Sequence, residues 1–377
     1  MKQFLLVLVA LSIALSMTMF ASCKKKDEGG SVAATAIEDE GPAVGVVLPT
    51  KDEPRWIQDE QRFGNALEQA GYSVEILFSQ GDPAREKANV ETLISKGVKV
   101  IILCPHDGSA AGAAAEAAAA ADVSVISYDR LIRDTSAVDY YVTFDSVAVG
   151  EAFGQYLVDN ASGSGNNLYL YAGAASDNNA FLFFQGAWNK LQPKIADGTF
   201  TVQNSSEAIA LKGKMALSRA EQAKIIGQVT TNWDFNVAKN LAESNLTAAS
   251  AAAKGEVFIA APNDGTARAI ADAFAADPDV SQYYITGQDA EKASIQYIID
   301  GKQSMTVFKD VRMLVSDAIK AAIALLNGNM PSATGAYDNG AKDVPAIQSE
   351  VITVTKNNVK SVLIDSGYYT ASEFTGL

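Results

Sequence analysis

Residues 98–128, VKVIILCPHDGSAAGAAAEAAAAADVSVISY, decide the fold class of this chain. The run from Val98 to Cys104 is short, apolar and rich in β-branched residues, so it predicts a buried strand. An alanine-rich helix is predicted at 110–121, and a second apolar strand ends at Tyr128. Because such strands, separated by helices, are typical of parallel strands covered on both faces, the stretch predicts an α/β sheet with right-handed crossovers.

The same strand and helix unit recurs on both sides of this stretch. Before it, strands are predicted at 44–48 and 74–78, and helices follow up to Gly71 and from Pro83 to Lys96. After residues 140–145 a second series begins, with strands predicted at 168–172, 257–261, 283–286 and 305–308 and helices at 147–159, 179–191, 233–253, 266–276, 295–299 and 314–326. The sequence therefore predicts two doubly wound, Rossmann-like α/β lobes.

Composition and charge exclude several classes of function. The 377 residues are 48% hydrophobic, which is enough for two domains with large cores. Thirty Lys and Arg against 44 Asp and Glu give a net charge of −14, which argues against a nucleic-acid partner. With one histidine, His106, and two cysteines, Cys23 and Cys104, the chain is too poor in soft ligands for a zinc site, and we expect no metal or cofactor. Cys104, at the end of a buried strand, is predicted to be an inert buried thiol.

The first 42 residues predict export and membrane attachment. Lys2 precedes a long apolar run, and Phe20-Ala21-Ser22-Cys23 resembles a bacterial lipobox with Phe20 in place of the usual leucine-like residue. Residues 1–22 therefore predict a signal peptide, although the run is also long enough to suggest an uncleaved membrane anchor. Cys23 would carry the lipid, and the charged, Gly-containing residues 23–42 predict a flexible tether outside the cytoplasm.

Polar side chains follow almost every predicted strand, at the edge where open α/β sheets bind ligands. Asp and Asn at such positions are also common helix N-caps, so it is their accumulation across both lobes that indicates a site. Asp, Asn, Arg and Lys side chains can satisfy sugar hydroxyls, which donate and accept hydrogen bonds at once. Trp56 and Trp233 could supply the aromatic walls that sugar C–H faces need, or could be ordinary core residues.

Six motifs, in order along the chain, resemble one family. They are PTKDEPRW (49–56), SYDRLIRD (127–134), YVTFD (141–145), DNNA (177–180), ITGQDA (285–290) and TVFKD (306–310). Together they resemble the xylose-binding and multiple-monosaccharide-binding proteins of bacterial ABC importers, which are type I periplasmic binding proteins with ribose-binding-protein-like topology. The resemblance runs from about Val44 to Tyr369 and covers nearly the whole chain after the tether.

The resemblance implies where the lobes divide and which residues contact sugar. The N-terminal lobe would comprise 43–145 plus 290–345 and the C-terminal lobe 146–289 plus 346–377, joined by three hinge segments. The residues that it places on the sugar are Arg55, Trp56, Asp129, Arg130, Asp177, Asn179, Trp233, Asn263, Asp289 and Lys309. Lys51 and Asp107 are secondary candidates, and Arg130 beside Asp129 could instead form a hinge salt bridge.

The function that the resemblance implies is capture of a monosaccharide, D-xylose before glucose, galactose or arabinose, for an ABC permease. The protein would be a monomeric lipoprotein that closes about its hinge and performs no catalysis. A receptor that feeds a chemoreceptor or sensor kinase would have the same site and a different docking surface. A glycosidase could in principle use a pair among Asp107, Asp129, Asp177 and Asp289.

Overall fold

The architecture comes from a computed structural model, which describes residues 43–377. The predicted signal peptide, Cys23 and tether fall outside the described residues. Two separate sheets, each composed largely of parallel strands, confirm the predicted α/β class with two lobes. Within residues 43–377, no helix is long and apolar enough to cross a membrane.

The first lobe contains a seven-stranded sheet in the order β11-β12-β5-β4-β3-β1-β2. Its strands are β1 (Val44–Leu48), β2 (Val74–Phe78), β3 (Val100–Leu103), β4 (Ser124–Tyr128), β5 (Tyr140–Phe144), β11 (Gly335–Asp338) and β12 (Asp343–Ser349). Its helices are α1 (Pro54–Gln69), α2 (Pro83–Ser95), α3 (Gly112–Ala119) and α11 (Val311–Leu326). Successive β1 residues point to opposite faces, since Val46 is buried with α1 and α11 residues and Val47 with α2 and α3 residues.

The second lobe contains a four-stranded parallel sheet in the order β7-β6-β8-β9. Its strands are β6 (Asn166–Leu170), β7 (Phe200–Val202), β8 (Gly255–Ala260) and β9 (Val280–Ile285). Its helices are α4 (Ser146–Asn160), α5 (Asn178–Ala196), α6 (Ser206–Ala210), α7 (Arg219–Val229), α8 (Phe235–Ala248), α9 (Asp264–Ala276) and α10 (Lys292–Ile299).

Two glycines set the position of α5 against α4. A Cβ atom on Gly150 would lie 1.9 Å from the Phe183 carbonyl oxygen, and one on Gly186 would lie 2.1 Å from that of Val147. Only glycine permits so close an approach of two helix backbones. The contact holds the N-terminus of α5, which carries the predicted sugar-binding Asn179, at a fixed place beside the cleft.

The chain passes between the lobes three times, which confirms the predicted three-segment hinge. The crossings follow β5, β10 (Met305–Lys309) and β12, and β10 pairs antiparallel with β13 (Val351–Thr355). Met305 and Val307 are buried in the second lobe, and α11 is buried in the first. The lobe boundaries at 290 and 345 remain predictions, and this packing favours moving them to about 310 and 350.

Several elements differ from the sequence prediction. The helix predicted at 233–253 begins only at Phe235 and ends at Ala248, followed by a 3₁₀ turn at Ala251–Ala253. It starts late because Asn232 and Trp233 adopt left-handed backbone angles, which end any helix. Strands β7 and β11 to β13 and helices α6 and α7 were not predicted. A π-helical turn at Lys360–Ile364 and a 3₁₀ turn at Ala371–Glu373 complete the chain.

Candidate functional site

A small cavity lies between the two lobes, at the carboxyl ends of their strands. All ten primary residues predicted from the sequence line it. The full lining comprises Glu53, Arg55, Trp56, Asp129, Arg130, Asp177, Asn179, Phe183, Trp233, Asn263, Gln288, Asp289 and Lys309.

Three lining residues are additions to the predicted set. Glu53 and Gln288 lie inside quoted motifs, within two residues of Arg55 and Asp289, so the motifs could have supplied them. Phe183 lies in an apolar stretch of α5, and its sequence context does not distinguish it from a core residue.

The two secondary candidates lie outside the lining of this cavity. The Lys51 ammonium pairs with Glu60 at 3.1 Å on the surface. The Asp107 carboxylate accepts hydrogen bonds from the backbone N–H groups of Ser109 and Ala110, just before α3. Both side chains therefore have local structural partners.

Arg55 is the centre of a buried ion network. Its Nε donates to Asp59 Oδ2 at 2.7 Å, its Nη2 donates to Asp129 Oδ2 at 3.0 Å, and its Nη1 lies 3.6 Å from Asp289 Oδ1. Burial raises the pKa of Asp59, although Arg55 opposes the shift. Burial would also raise the pKa of Asp129, but Lys309, Arg55 and Arg130 together hold it below its ordinary value. Asp129 thus stays ionised as a hydrogen-bond acceptor at the cavity wall.

Arg130 bridges the lobes. Its Nε lies 3.0 Å from Asp177 Oδ2 of the second lobe, and its Nη2 donates to Glu53 Oε1 at 3.3 Å. Burial raises the pKa of Asp177 to about 6, with Arg130 opposing the shift. Arg130 therefore forms its close ion pairs with Asp177 and Glu53 rather than with the neighbouring Asp129.

The backbone is strained at the cavity. Asp129, Trp233 and Asp289 have φ angles of 59°, 61° and 98°. Such left-handed conformations cost non-glycine residues about 1–3 kcal/mol each and persist only where the surroundings enforce them. At Asp129 the enforcement is visible, since its carbonyl oxygen accepts bonds from Tyr141 Oη at 2.8 Å and from Asn179 Nδ2, across the cleft, at 3.0 Å.

The two tryptophans form aromatic walls. Trp56 is 2% exposed, and the guanidinium groups of Arg55 and Arg130 each lie 5.0 Å from its ring centroid. It also packs in the first-lobe core, so it is both a core residue and a wall. Trp233 lies against Gly173, where a Cβ atom would approach its ring to 2.0 Å.

Buried polar atoms in the lining indicate which chemistry a ligand of this cavity must have. Trp56 Nε1, Trp233 Nε1 and Gln288 Oε1 have no hydrogen-bond partner among residues 43–377. Leaving such groups unpaired costs about 1–3 kcal/mol each. A ligand that both donates and accepts hydrogen bonds would satisfy them. In the same part of the chain, no group of His, Cys, Asp and Glu side chains is arranged to hold a metal ion.

Comparison with known sequences then decides the family. The family described as periplasmic binding protein domain matches residues 44–330. The chain belongs to the periplasmic binding protein family. Members of this family bind solutes, so the type I fold and the non-enzymatic role predicted from the sequence are confirmed.

Individual relatives cover nearly the full length of this family member. A carbohydrate-transporter solute-binding protein from Chloroflexus aurantiacus, solved with D-glucose, is 76% identical over 89% of this chain and 99% of its own, with a TM-score of 0.88. A multiple sugar-binding periplasmic protein of Azospirillum brasilense is 34% identical, covering 88% and 91%. The D-xylose-binding periplasmic protein of Escherichia coli is 30% identical, covering 88% and 92%.

Proposed function

We propose that this periplasmic binding protein captures a monosaccharide in the cavity between its lobes and delivers it to an ABC permease outside the cytoplasm. The observation that carries the proposal is the lining itself, in which ionised side chains, two indole rings and unpaired polar atoms face one enclosed space. Sugars match this surface because each hydroxyl both donates and accepts, while the C–H faces are apolar.

The polar lining also favours binding without chemistry. The carboxylates of Asp129, Asp177 and Asp289 lie 3.0, 3.0 and 2.9 Å from Arg55, Arg130 and Lys309, respectively. Each of these carboxylates is thus paired with a cation and positioned as a hydrogen-bond acceptor, rather than left as one of two free carboxyl groups facing each other across the cavity. The set therefore suits a receptor that releases its ligand unchanged.

D-glucose is the first sugar to test, ahead of the D-xylose predicted from the sequence. The support is the 76% identical solute-binding protein that holds D-glucose, whereas the D-xylose-binding relative is 30% identical. The two sugars differ by one hydroxymethyl group, and a difference of that size in a pocket is worth only about 1–3 kcal/mol. We therefore expect D-glucose to bind most tightly and D-xylose to bind measurably.

Hinge closure would bury the sugar. Arg130 and Asp129 of the first lobe contact Asp177 and Asn179 of the second, and these contacts must separate for a ligand to enter. Within residues 43–377 the chain connects the lobes only through three crossings, so one lobe can rotate about this hinge relative to the other without a change within either lobe.

Isothermal titration calorimetry of the purified protein against D-glucose, D-xylose, D-galactose, L-arabinose and D-ribose tests the proposal. Lys309→Met should abolish or greatly weaken binding, because Lys309 lines the cavity. Lys51→Met is the matched control and should bind as the parent protein does, since Lys51 pairs with Glu60 at the surface. A parent protein that binds none of the five sugars would refute the proposal.

We also propose that Cys23 carries a lipid that anchors the protein to the membrane, on the basis of the Phe20-Ala21-Ser22-Cys23 motif. Labelling of cells with a clickable fatty acid should mark the parent protein and not Cys23→Ser. Equal labelling of both, or of neither, would contradict the anchor without bearing on sugar binding.

A further inference from the structure

A second set of contacts joins the lobes outside the cavity. The Gly108 N–H donates to the Ser176 carbonyl oxygen at 3.0 Å, and Arg133 Nη1 donates to Asn178 Oδ1 at 3.2 Å. Gly108 and Arg133 lie in loops of the first lobe, whereas Ser176 and Asn178 lie at the start of α5 in the second. None of the four lines the cavity, so a sugar there would not touch them.

The Asn178 side chain is the centre of this contact. Its Oδ1 also accepts from Arg219 Nη1 of α7 at 2.8 Å, and the residue is only 6% exposed. The Arg219 guanidinium in turn lies 3.7 Å from the ring centroid of Phe181, which holds it in place. Two cations from opposite lobes thus converge on one neutral oxygen. We call Arg133, Asn178 and Arg219 the rim clasp.

The charges around the rim clasp are poorly balanced. The one carboxylate paired with Arg133 among residues 43–377 is Asp134, at 3.8 Å and with a side chain 54% exposed. Arg219 forms no ion pair within that range. Burial and the nearby Arg133 charge both lower the pKa of Arg219. The neutral amide therefore bridges two guanidinium groups that repel each other.

We propose that the rim clasp sets the lifetime of the closed state and hence the rate of sugar release, without contributing to the choice of sugar. The inference rests on the proposed function. Its contacts form only when the lobes meet, so their free energy adds to closure whichever sugar is bound. A change in the rim clasp should scale the affinities for all sugars by the same factor and leave their ratio unchanged.

Two substitutions at Asn178, which should change the rate of sugar dissociation in opposite directions, test this proposal. Asn178→Ala removes the shared acceptor and leaves two like charges facing each other, and we expect sugar to dissociate about tenfold faster, the lower limit for loss of a bond to a charged group. Asn178→Asp places a carboxylate between the two guanidinium groups. The carboxylate adds an ion-pair attraction to bonds that already have a charged donor and offsets the repulsion between the two guanidinium groups, so we expect dissociation to slow several-fold.

Asn236 provides the matched control. It is exposed and lies in the first turn of α8, two residues after the N-cap Asp234, whereas Asn178 lies in the first turn of α5, directly after the N-cap Asp177. Asn236→Ala and Asn236→Asp should leave dissociation unchanged, which separates the rim clasp from any general effect of charge at a helix start.

Stopped-flow tryptophan fluorescence of the purified protein measures the rate of sugar dissociation, in separate experiments with D-glucose and with D-xylose. Faster release for Asn178→Ala, slower release for Asn178→Asp and an unchanged ratio of the two affinities support the rim clasp. If the slower release of Asn178→Asp is lost in Arg133→Ala/Asn178→Asp, the effect arises from the contact between the lobes.

Unchanged release in both Asn178 variants would overturn the inference while leaving the proposed function intact. A changed ratio of affinities would also overturn it, because it would show that Asn178 acts on the sugar. A parent protein that binds neither sugar would instead be a failure of the proposed function. Should Asn178→Ala fold poorly, Asn178→Asp and Arg133→Ala keep the test decisive.

Discussion

Replacing Arg55 by methionine should destabilise the fold and weaken sugar binding together. Arg55 is 4% exposed and pairs at 2.7 Å with Asp59, which is fully buried, and at 3.0 Å with Asp129. Removing one partner of a buried ion pair costs about 3–5 kcal/mol, because the remaining charge is left without compensation. Sugar binding should weaken at least tenfold, since each bond to a charged group contributes about 1.5–3 kcal/mol.

A second substitution separates the two effects. Asp59 lies behind Arg55 and does not line the cavity, so adding Asp59→Asn to Arg55→Met removes a stranded buried charge without a further change to the lining. The amide oxygen introduced by Asp59→Asn can still accept the hydrogen bond that Tyr128 Oη donates to Asp59 in the parent protein. The double variant should recover about 2 kcal/mol of the loss, roughly the share of one of the two unpaired carboxylates.

Urea unfolding of the sugar-free proteins and calorimetry with D-glucose measure the two effects independently. The reasoning predicts that the double variant regains stability and does not regain binding. Recovery of parental affinity would refute the assignment of Arg55 to the sugar. An undiminished free energy of unfolding in Arg55→Met would refute the buried ion network.

Three further substitutions test other parts of the account. Gly173→Ala should weaken sugar binding at least tenfold in a fluorescence titration, because the added Cβ would displace the Trp233 ring, and unchanged affinity would show that this ring is not a wall. Trp56→Ala should lose both binding and about 3–5 kcal/mol of unfolding free energy, since the ring is core and wall at once, and a loss of either alone would contradict that double role. Glu86 is fully buried, accepts from the His106 N–H at 2.9 Å, and has a pKa raised by burial to about 7 from an ordinary value of 4.5. Between pH 4.5 and 7 the folded state therefore binds more protons than the unfolded state, so the free energy of unfolding falls as pH rises through this range. Glu86→Gln should raise the free energy of unfolding at pH 8 by at most about 3 kcal/mol and flatten its dependence on pH. The same pH dependence in the variant and the parent protein would contradict this.

The polar residues at strand ends show how far the sequence could identify the site. Asp145 and Asp310 cap α4 and α11 and do not line the cavity. Asp177 and Asn263 cap α5 and α9 and line it as well. Capping and ligand binding require the same residue type at the same position, so the pattern alone could not separate the two pairs, and the motif resemblance did.

The lobes themselves were predictable because fully buried strands are continuous apolar runs, as Val100–Leu103 is. Short or exposed elements were not. Strand β7 has three residues, and β11 is largely exposed, so neither carries enough apolar periodicity to be recognised. The rim clasp was also out of reach, because Arg133 and Arg219 meet on Asn178 only through the tertiary fold.

A crystal structure of the purified protein grown with D-glucose tests the central claim most directly. We predict density for one pyranose in the cavity, between Trp56 and Trp233 and within hydrogen-bond distance of Arg55, Asp129 and Asp289. An empty cavity at saturating sugar, or a sugar bound elsewhere on the molecule, would contradict it.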